Sequence, residues 1–164
     1  MEQTEGVELP AMREVYGDVG ENHDRLVSFI ERQGIDLAFT EKIAPALGMS
    51  YGGRIAILPG QSKAETFATL VHETAHELLH RSERRTVTTK IVRETEAEAV
   101  AFVVGKAVGL VNDNASASYI QLYKGNASLL AESLEVIQQT ASVILAALEP
   151  PIADEAAEAL ALAA

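Results

Sequence analysis

His72-Glu73-Thr74-Ala75-His76-Glu77-Leu78-Leu79-His80 holds three of the four histidines of this chain. Just upstream, Ser62-Lys63-Ala64-Glu65 is a capping-box pattern, with Ser62 at the N-cap and Glu65 at N3. It predicts a helix from 63 to about 80, with Phe67, Leu70, Val71 and Leu78 as its core stripe and His72 and His76 on an adjoining face. Two histidines four residues apart on a helix stand one turn apart, so both imidazoles can reach a single tetrahedral Zn²⁺. Glu73 is then placed to meet a water activated there rather than the metal itself. With this composition, His-Glu-x-x-His arises by chance in roughly one such chain per hundred, and the helical context raises the signal well above that. His80 is about 12 Å along the axis from His72, too far for one zinc to take all three, and is read as a supporting or structural residue.

Two other readings compete. One is a solvent-facing, His-rich helix surface. The other is a di-iron carboxylate site, because Glu73-x-x-His76 and Glu77-x-x-His80 each match the Glu-x-x-His motif; such motifs come from two helices, whereas here they overlap on one.

A catalytic zinc needs a third protein ligand and one open position. The chain has no Cys, so the donor is an Asp, a Glu or His23. A second long helix, expected from about 90 to 108 and ending near Gly109, carries Arg93-Glu94-Thr95-Glu96-Ala97-Glu98. Glu94 and Glu98 share a face, and Glu96 is turned from either by about 160°. Glu94 is assigned as the ligand and Glu98 as the carboxylate that orients a ligand imidazole. Glu96 is the rival ligand, and three solvated glutamates on an exposed helix are the bland alternative.

Outward from these helices, 164 residues with 48% hydrophobic and 23% charged fit one domain. Residues 1–20 read as an irregular lead-in or linker, 21–149 as the folded domain and 150–164 as a disordered tail. Asn22 can cap a helix with Leu26, Phe29 and Ile30 on its apolar face, stopped by Gly34. Ile35, Leu37 and Phe39 alternate as a strand, Glu41 to Leu47 is ambiguous, and Tyr51-Gly52-Gly53 leads into a short β run at 54–58, so a hairpin or meander is expected. That β run is read as a possible edge for an extended peptide. Asp113 to Ser118 is rich in turn residues. A last helix from about 127 to 148 would bury Leu130, Leu134, Ile137, Ala141, Ile144, Leu145 and Leu148, and Pro150-Pro151 stops it.

Thirteen Lys and Arg against 24 Asp and Glu give a net charge of -11. That field repels phosphate backbones and anionic lipid, so direct nucleic-acid binding and a membrane are not expected. The acidic N-terminus lacks the features of a signal peptide and the longest apolar run near the C-terminus, 141–148, is short of a membrane span, so the expected location is the cytoplasm. The Asn-x-Ser matches at Asn114 and Asn126 are read as turn or cap residues. Arg81, Arg84, Arg85, Lys90 and Arg93 gather five of the positive charges between the two helices, a solvated surface unless they select acidic substrates. The Ala-rich end, 159–164, is similar to small-residue tails read by bacterial unfoldase proteases, though plain disorder is the commoner reading.

The stretches Thr69 to His80 and Glu94 to Phe102 resemble the ImmA/IrrE-type zinc metallopeptidases, and within them the peptidase part of ArdC-like antirestriction proteins, over about residues 35 to 110. The resemblance implies an α+β zincin-like fold, a small sheet packed on the metal-binding helix with a Glu-bearing helix and a C-terminal helix. It also implies Zn²⁺ on His72, His76 and a downstream Glu, matching Glu94, with Glu73 as general base. The family often has Asn where this chain has Glu98, which leaves Glu94 and Glu96 both open. Gln3-Thr4-Glu5-Gly6 looks like the joint that follows the single-stranded-DNA-binding domain of ArdC-like proteins, implying a DNA-binding domain in a longer parent. The expected function is zinc-dependent hydrolysis of peptide bonds in a protein substrate. The alternatives are a non-catalytic zincin-fold binding module with structural zinc and a DNA-linked antirestriction role. Tyr119, Tyr123 and His80 are candidate oxyanion donors.

Overall fold

The computed structural model describes residues 15–81, 83–112 and 126–150. They form a mixed α and β unit. In chain order it contains β1 (Val15–Tyr16), α1 (Asn22–Arg32), β2 (Asp36–Phe39), a 3-10 turn (Glu41–Ile43), β3 (Gly48–Ser50) and β4 (Arg54–Ile57). There follow α2 (Lys63–Leu79), α3 (Glu83–Val87), α4 (Lys90–Ala107), β5 (Val111–Asn112) and α5 (Ala127–Leu148).

The central element is α2. Ser62 accepts from the Glu65 amide and Glu65 returns a bond to the Ser62 amide, so two orphan amides of the first turn are satisfied reciprocally. Phe67, Leu70 and Val71 are fully buried, as the stripe predicted, and Leu78 packs at the core margin. Residues of α1, α4 and α5 complete this core, including Leu26, Ile30, Val100, Val104 and Ile144. Each fully buried aliphatic side chain of this kind contributes about 1.5–3 kcal/mol.

The sheet has strand order β2-β4-β3, parallel between β2 and β4 and antiparallel between β3 and β4. The hairpin expected around Tyr51-Gly52-Gly53 is therefore present, with Gly52 and Gly53 both at positive φ. The edge is not where the β run at 54–58 suggested. β4 is paired on both sides, and β3, the short strand beyond the ambiguous segment, lies at the border of the sheet. The reason is that Ile55 and Ile57, fully buried, belong in the middle of the sheet, whereas Gly48-Met49-Ser50 is only half covered.

Two further expectations are corrected. Residues up to 20 do not all form an irregular lead-in: Val15–Tyr16 pairs antiparallel with Val111–Asn112, and Val15 and Val19 enter the core. Glu21, not Asn22, is the N-cap of α1 and makes no side-chain cap bond, while Gly34 at positive φ follows the helix as expected. Between α2 and α4, Glu83–Val87 forms the short helix α3, with no buried residue. α4 is capped by Thr89, whose hydroxyl accepts from the Val92 amide, and Gly109 at positive φ lies just past it.

α5 starts at Asn126, whose side chain accepts from the Leu129 amide. Its buried face is rotated from the purely apolar stripe: Ile137, Ala141, Ile144 and Leu148 are buried together with Ser133 and Thr140, and Leu134 is exposed. By length and composition this helix would suffice to cross a membrane, but here Ile137, Ala141, Ile144 and Leu148 belong to the shared core. The stretches 1–14, 113–125 and 151–164 lie outside the described residues, and with them Gln3 to Gly6, Asn114, Tyr119, Tyr123 and the Ala-rich tail.

Candidate metal centre

α2 and α4 pack side by side and bring their polar rows together. Nε2 of His72 and Nε2 of His76 are 3.2 Å apart. The Glu94 carboxylate faces both, with Oε2 at 3.3 Å from His72 Nε2 and Oε1 at 3.3 Å from His76 Nε2. Among the described residues these three form a group whose donor atoms converge tightly enough to hold a metal ion. The spacing has a simple meaning. A tetrahedral zinc with ligand bonds of about 2.05 Å has ligand-to-ligand edges of about 3.3 Å. The His72–His76 separation is close to that edge, each Glu94 oxygen lies at that distance from one of the two imidazoles, and with one donor atom from each residue all three lie within 4.8 Å of one another. The donor set, two imidazoles and one carboxylate, is a common one for catalytic zinc. The Glu94 side chain is half exposed, so one side of the group faces solvent. Hydrogen bonding to His72 and then His76 holds the Glu94 carboxyl well below the usual carboxylate range.

The flanking acids separate by helical phase. Glu98, one turn after Glu94, places Oε2 3.3 Å from Nδ1 of His72, on the ring nitrogen opposite the converging Nε2. Glu96 is fully buried on the other side of α4. It is not near the His72 and His76 Nε2 atoms but takes His80 Nε2 at 2.9 Å, Arg84 on both carboxylate oxygens and the Ser133 hydroxyl at 2.7 Å. Burial pushes the Glu96 carboxyl up, but the bonds from His80, Arg84 and Ser133 outweigh it and bring the pKa down to about 2. His23 sits on α1 and is no part of the metal group.

Glu73 is buried against the sheet. A Cβ on Gly48 would lie 2.8 Å from Glu73 Cγ, 2.9 Å from its Oε1 and 2.7 Å from Thr69 Cγ2. Glycine at 48 is therefore what lets the Glu73 side chain lie along β3. Burial raises the Glu73 pKa; the His72 and His76 imidazoles oppose this, and the Glu94 and Glu77 carboxylates add to it. A carboxylate raised in this way is a better proton acceptor near neutral pH.

Glu77 has a different task from the one the di-iron motif gave it. Its buried carboxylate accepts from the Gly52 amide at 2.9 Å, the Gly53 amide at 2.7 Å and the Ser50 hydroxyl, and pairs with Arg81 at 3.1 Å. It clamps the β3–β4 hairpin to α2. His80 is also buried and bonded at both ring nitrogens, to His76 Nδ1 at 2.8 Å and to Glu96, so it does not face the site as an oxyanion donor. Burial pushes its pKa down and favours the neutral ring.

The positive run is mostly used internally. Arg81 pairs with Glu77, Arg84 bridges Glu96 and Glu132, and Arg93 donates to the Arg85 carbonyl. Sequence reading missed Gly48, the clamp role of Glu77 and the partners of Glu96. Only Ser133, a hydroxyl inside an otherwise apolar stripe, carried a visible signal. No protein-family model matches the chain, and no curated protein or solved structure is significantly similar to it.

Proposed function

We propose that the protein is a zinc-dependent metallo-endopeptidase with a zincin-like fold, of the ImmA/IrrE type that its motifs resemble. The observation that carries this reading is the convergence of His72, His76 and Glu94, one donor atom from each within 4.8 Å of the others, beside a buried glutamate one residue after the first histidine. His72, His76 and Glu94 would hold the ion, which when bound lowers the pKa of a coordinated water and polarises a substrate carbonyl. Glu73 accepts the proton of the attacking water and passes it to the leaving amine. Glu98 keeps the His72 ring in register by accepting from Nδ1, and Gly48 lets Glu73 lie where it can work.

The substrate is an extended segment of a protein. The β3–β4 register, with 47 bonded to 58 and 51 to 54, turns the backbone groups of Gly48 and Ser50 towards the outer edge of β3. Among the described residues no strand pairs there. A peptide added to that edge would run past Glu73.

The test is metal content by mass spectrometry on protein purified without added metal, together with cleavage of dye-labelled casein. The wild type should carry about one zinc per chain and Glu94→Ala should lose it. Glu73→Gln should keep zinc and lose turnover by about 100-fold or more. A chain without zinc even when zinc is supplied refutes the reading. A zinc-loaded wild type no more active than Glu73→Gln would leave a binding module.

A further inference from the structure

Leu47, Met49 and Tyr51 form a row of large apolar side chains along β3, and they are 48%, 38% and 52% exposed. Gly48 packs against Thr69 and Glu73, and the Ser50 hydroxyl donates to Glu77, so these alternate positions of the strand face α2. Side chains alternate along a strand, which turns Leu47, Met49 and Tyr51 to the opposite face. The Tyr51 hydroxyl donates to Met49 Sδ at 3.1 Å, which puts these two on one side. We propose that this row selects the bound segment: a stretch with large apolar side chains at every second residue, the pattern of an amphipathic β-strand in an unfolded protein. The inference rests on the reading of the β3 border as the place where substrate binds, but not on bond cleavage.

Border strands are usually protected against pairing by charge, proline or a bulge. Leu47-Gly48-Met49-Ser50-Tyr51 has no charged residue and no proline, and its register with β4 is unbroken. This border is built to be paired. The outward backbone groups of Gly48 and Ser50 demand an extended occupant, and strand alternation then fixes its side chains. Residues directly opposite across two strands share a face and touch. Those opposite Leu47, Met49 and Tyr51 therefore stand on the apolar row, while those opposite Gly48 and Ser50 face α2 and Glu73. Recognition and chemistry are divided between the two faces of one added strand. A block of consecutive apolar residues would put half of them on the wrong face, so the row reads alternation rather than hydrophobicity alone. In a folded protein a segment of this pattern is paired and half buried, so the substrate is a chain that has lost its fold and not a polar surface loop.

The test titrates the full chain, supplied with zinc, into fluorescein-labelled peptides of about ten residues. Anisotropy reads binding, and mass spectrometry of the same samples reads cleavage. One peptide alternates Leu with Ser; its isomer carries the same Leu residues in one block. The alternating peptide should bind about 10-fold or more tightly than its isomer. Changing both Met49→Thr and Tyr51→Thr, which keeps strand propensity, should weaken it about 3- to 20-fold and erase the preference. Leu134→Ser, which removes an equally exposed apolar side chain from α5, should change nothing. Only alternate amides of an added strand face its neighbour, so N-methylation of one alternate set in the peptide should abolish binding and methylation of the other should not. No binding, equal binding of the two isomers, a double variant that binds as the wild type does, or tolerance of both methylated sets would overturn the inference. So would a dimer, seen by light scattering, that the double variant dissociates, since the row would then belong to a second copy. The expected preferences without cleavage support the inference and refute the peptidase. Equal binding and equal cleavage of both isomers overturn the inference and leave the peptidase standing.

Discussion

Replacing Gly48 with alanine separates the base from the metal. The φ of Gly48 is not in the left-handed region, so alanine can adopt the backbone without strain. Its Cβ, however, would fall 2.7 Å from Thr69 Cγ2, 2.8 Å from Glu73 Cγ and 2.9 Å from Glu73 Oε1. Ordinary contact begins near 3.4 Å, so these atoms must retreat by about half an ångström or more. Thr69 gives way only against its bond to Gln61 at 2.8 Å, and the Glu73 side chain must move with it. A misplacement approaching 1 Å in a reacting group can cost about 100-fold. None of the crowded atoms belongs to His72, His76 or Glu94. Gly48→Ala should therefore keep zinc at the wild-type stoichiometry and lower casein cleavage by about 10- to 100-fold. Overpacking would cost about 1–3 kcal/mol in urea unfolding, offset by up to about 1 kcal/mol from the loss of glycine's freedom in the unfolded chain. Undiminished cleavage by a fully zinc-loaded Gly48→Ala would refute the placement of Glu73 against β3. Loss of zinc would show that β3 supports the ligands rather than the base.

Glu77→Ala removes the acceptor of two part-buried amides and a hydroxyl of the hairpin and should destabilise by about 1–3 kcal/mol in urea titration, whereas Arg81→Ala, on the exposed end of the same pair, should cost under about 1 kcal/mol. Glu96, depressed to about 2 in the folded chain from an ordinary 4.5, adds stability that is fully present above pH 4.5 and is lost as pH falls toward 2. Urea midpoints between pH 5 and 2.5 should therefore fall more steeply for the wild type than for Glu96→Gln, and parallel slopes would argue against an ionised Glu96 in the folded chain. On α5, Ile144→Ala should cost about 2–5 kcal/mol and Leu134→Ser less than about 0.5 kcal/mol; equal effects would mean the helix buries a different face.

Helices were the more legible part of the fold. Ser62 and Glu65, Gly34, Gly109 and Pro150 punctuate the chain through local chemistry, and local chemistry is what a sequence displays. The two ends of the sheet system were not legible. Val15–Tyr16 is a strand only because Val111–Asn112 lies beside it, and a two-residue segment has no period. β3, three residues of which one is glycine, shows no period either, so the sequence puts the border of the sheet on β4. In the site, helical phase alone sorted Glu94 and Glu98 from Glu96, since a turn of α4 fixes which carboxylates point together. What phase could not supply is the identity of the far partners. Arg84 and Ser133 meet Glu96 across tertiary contacts, and Leu134 reads as core until Ser133 is seen to take the inward position.

The order β2-β4-β3 also bears on how the chain assembles during synthesis. The middle strand is the last of the three to be made, so β2 and β3 have no neighbour to pair with until Arg54–Ile57 has left the ribosome. Neither strand can wait as a folded piece, because each finds its hydrogen bonds only on β4. The Glu77 clamp then arrives some twenty residues later, on α2. A nascent chain halted before residue 54 should thus behave as unfolded polymer beyond whatever helix α1 retains, and the sheet should appear in one step as α2 emerges.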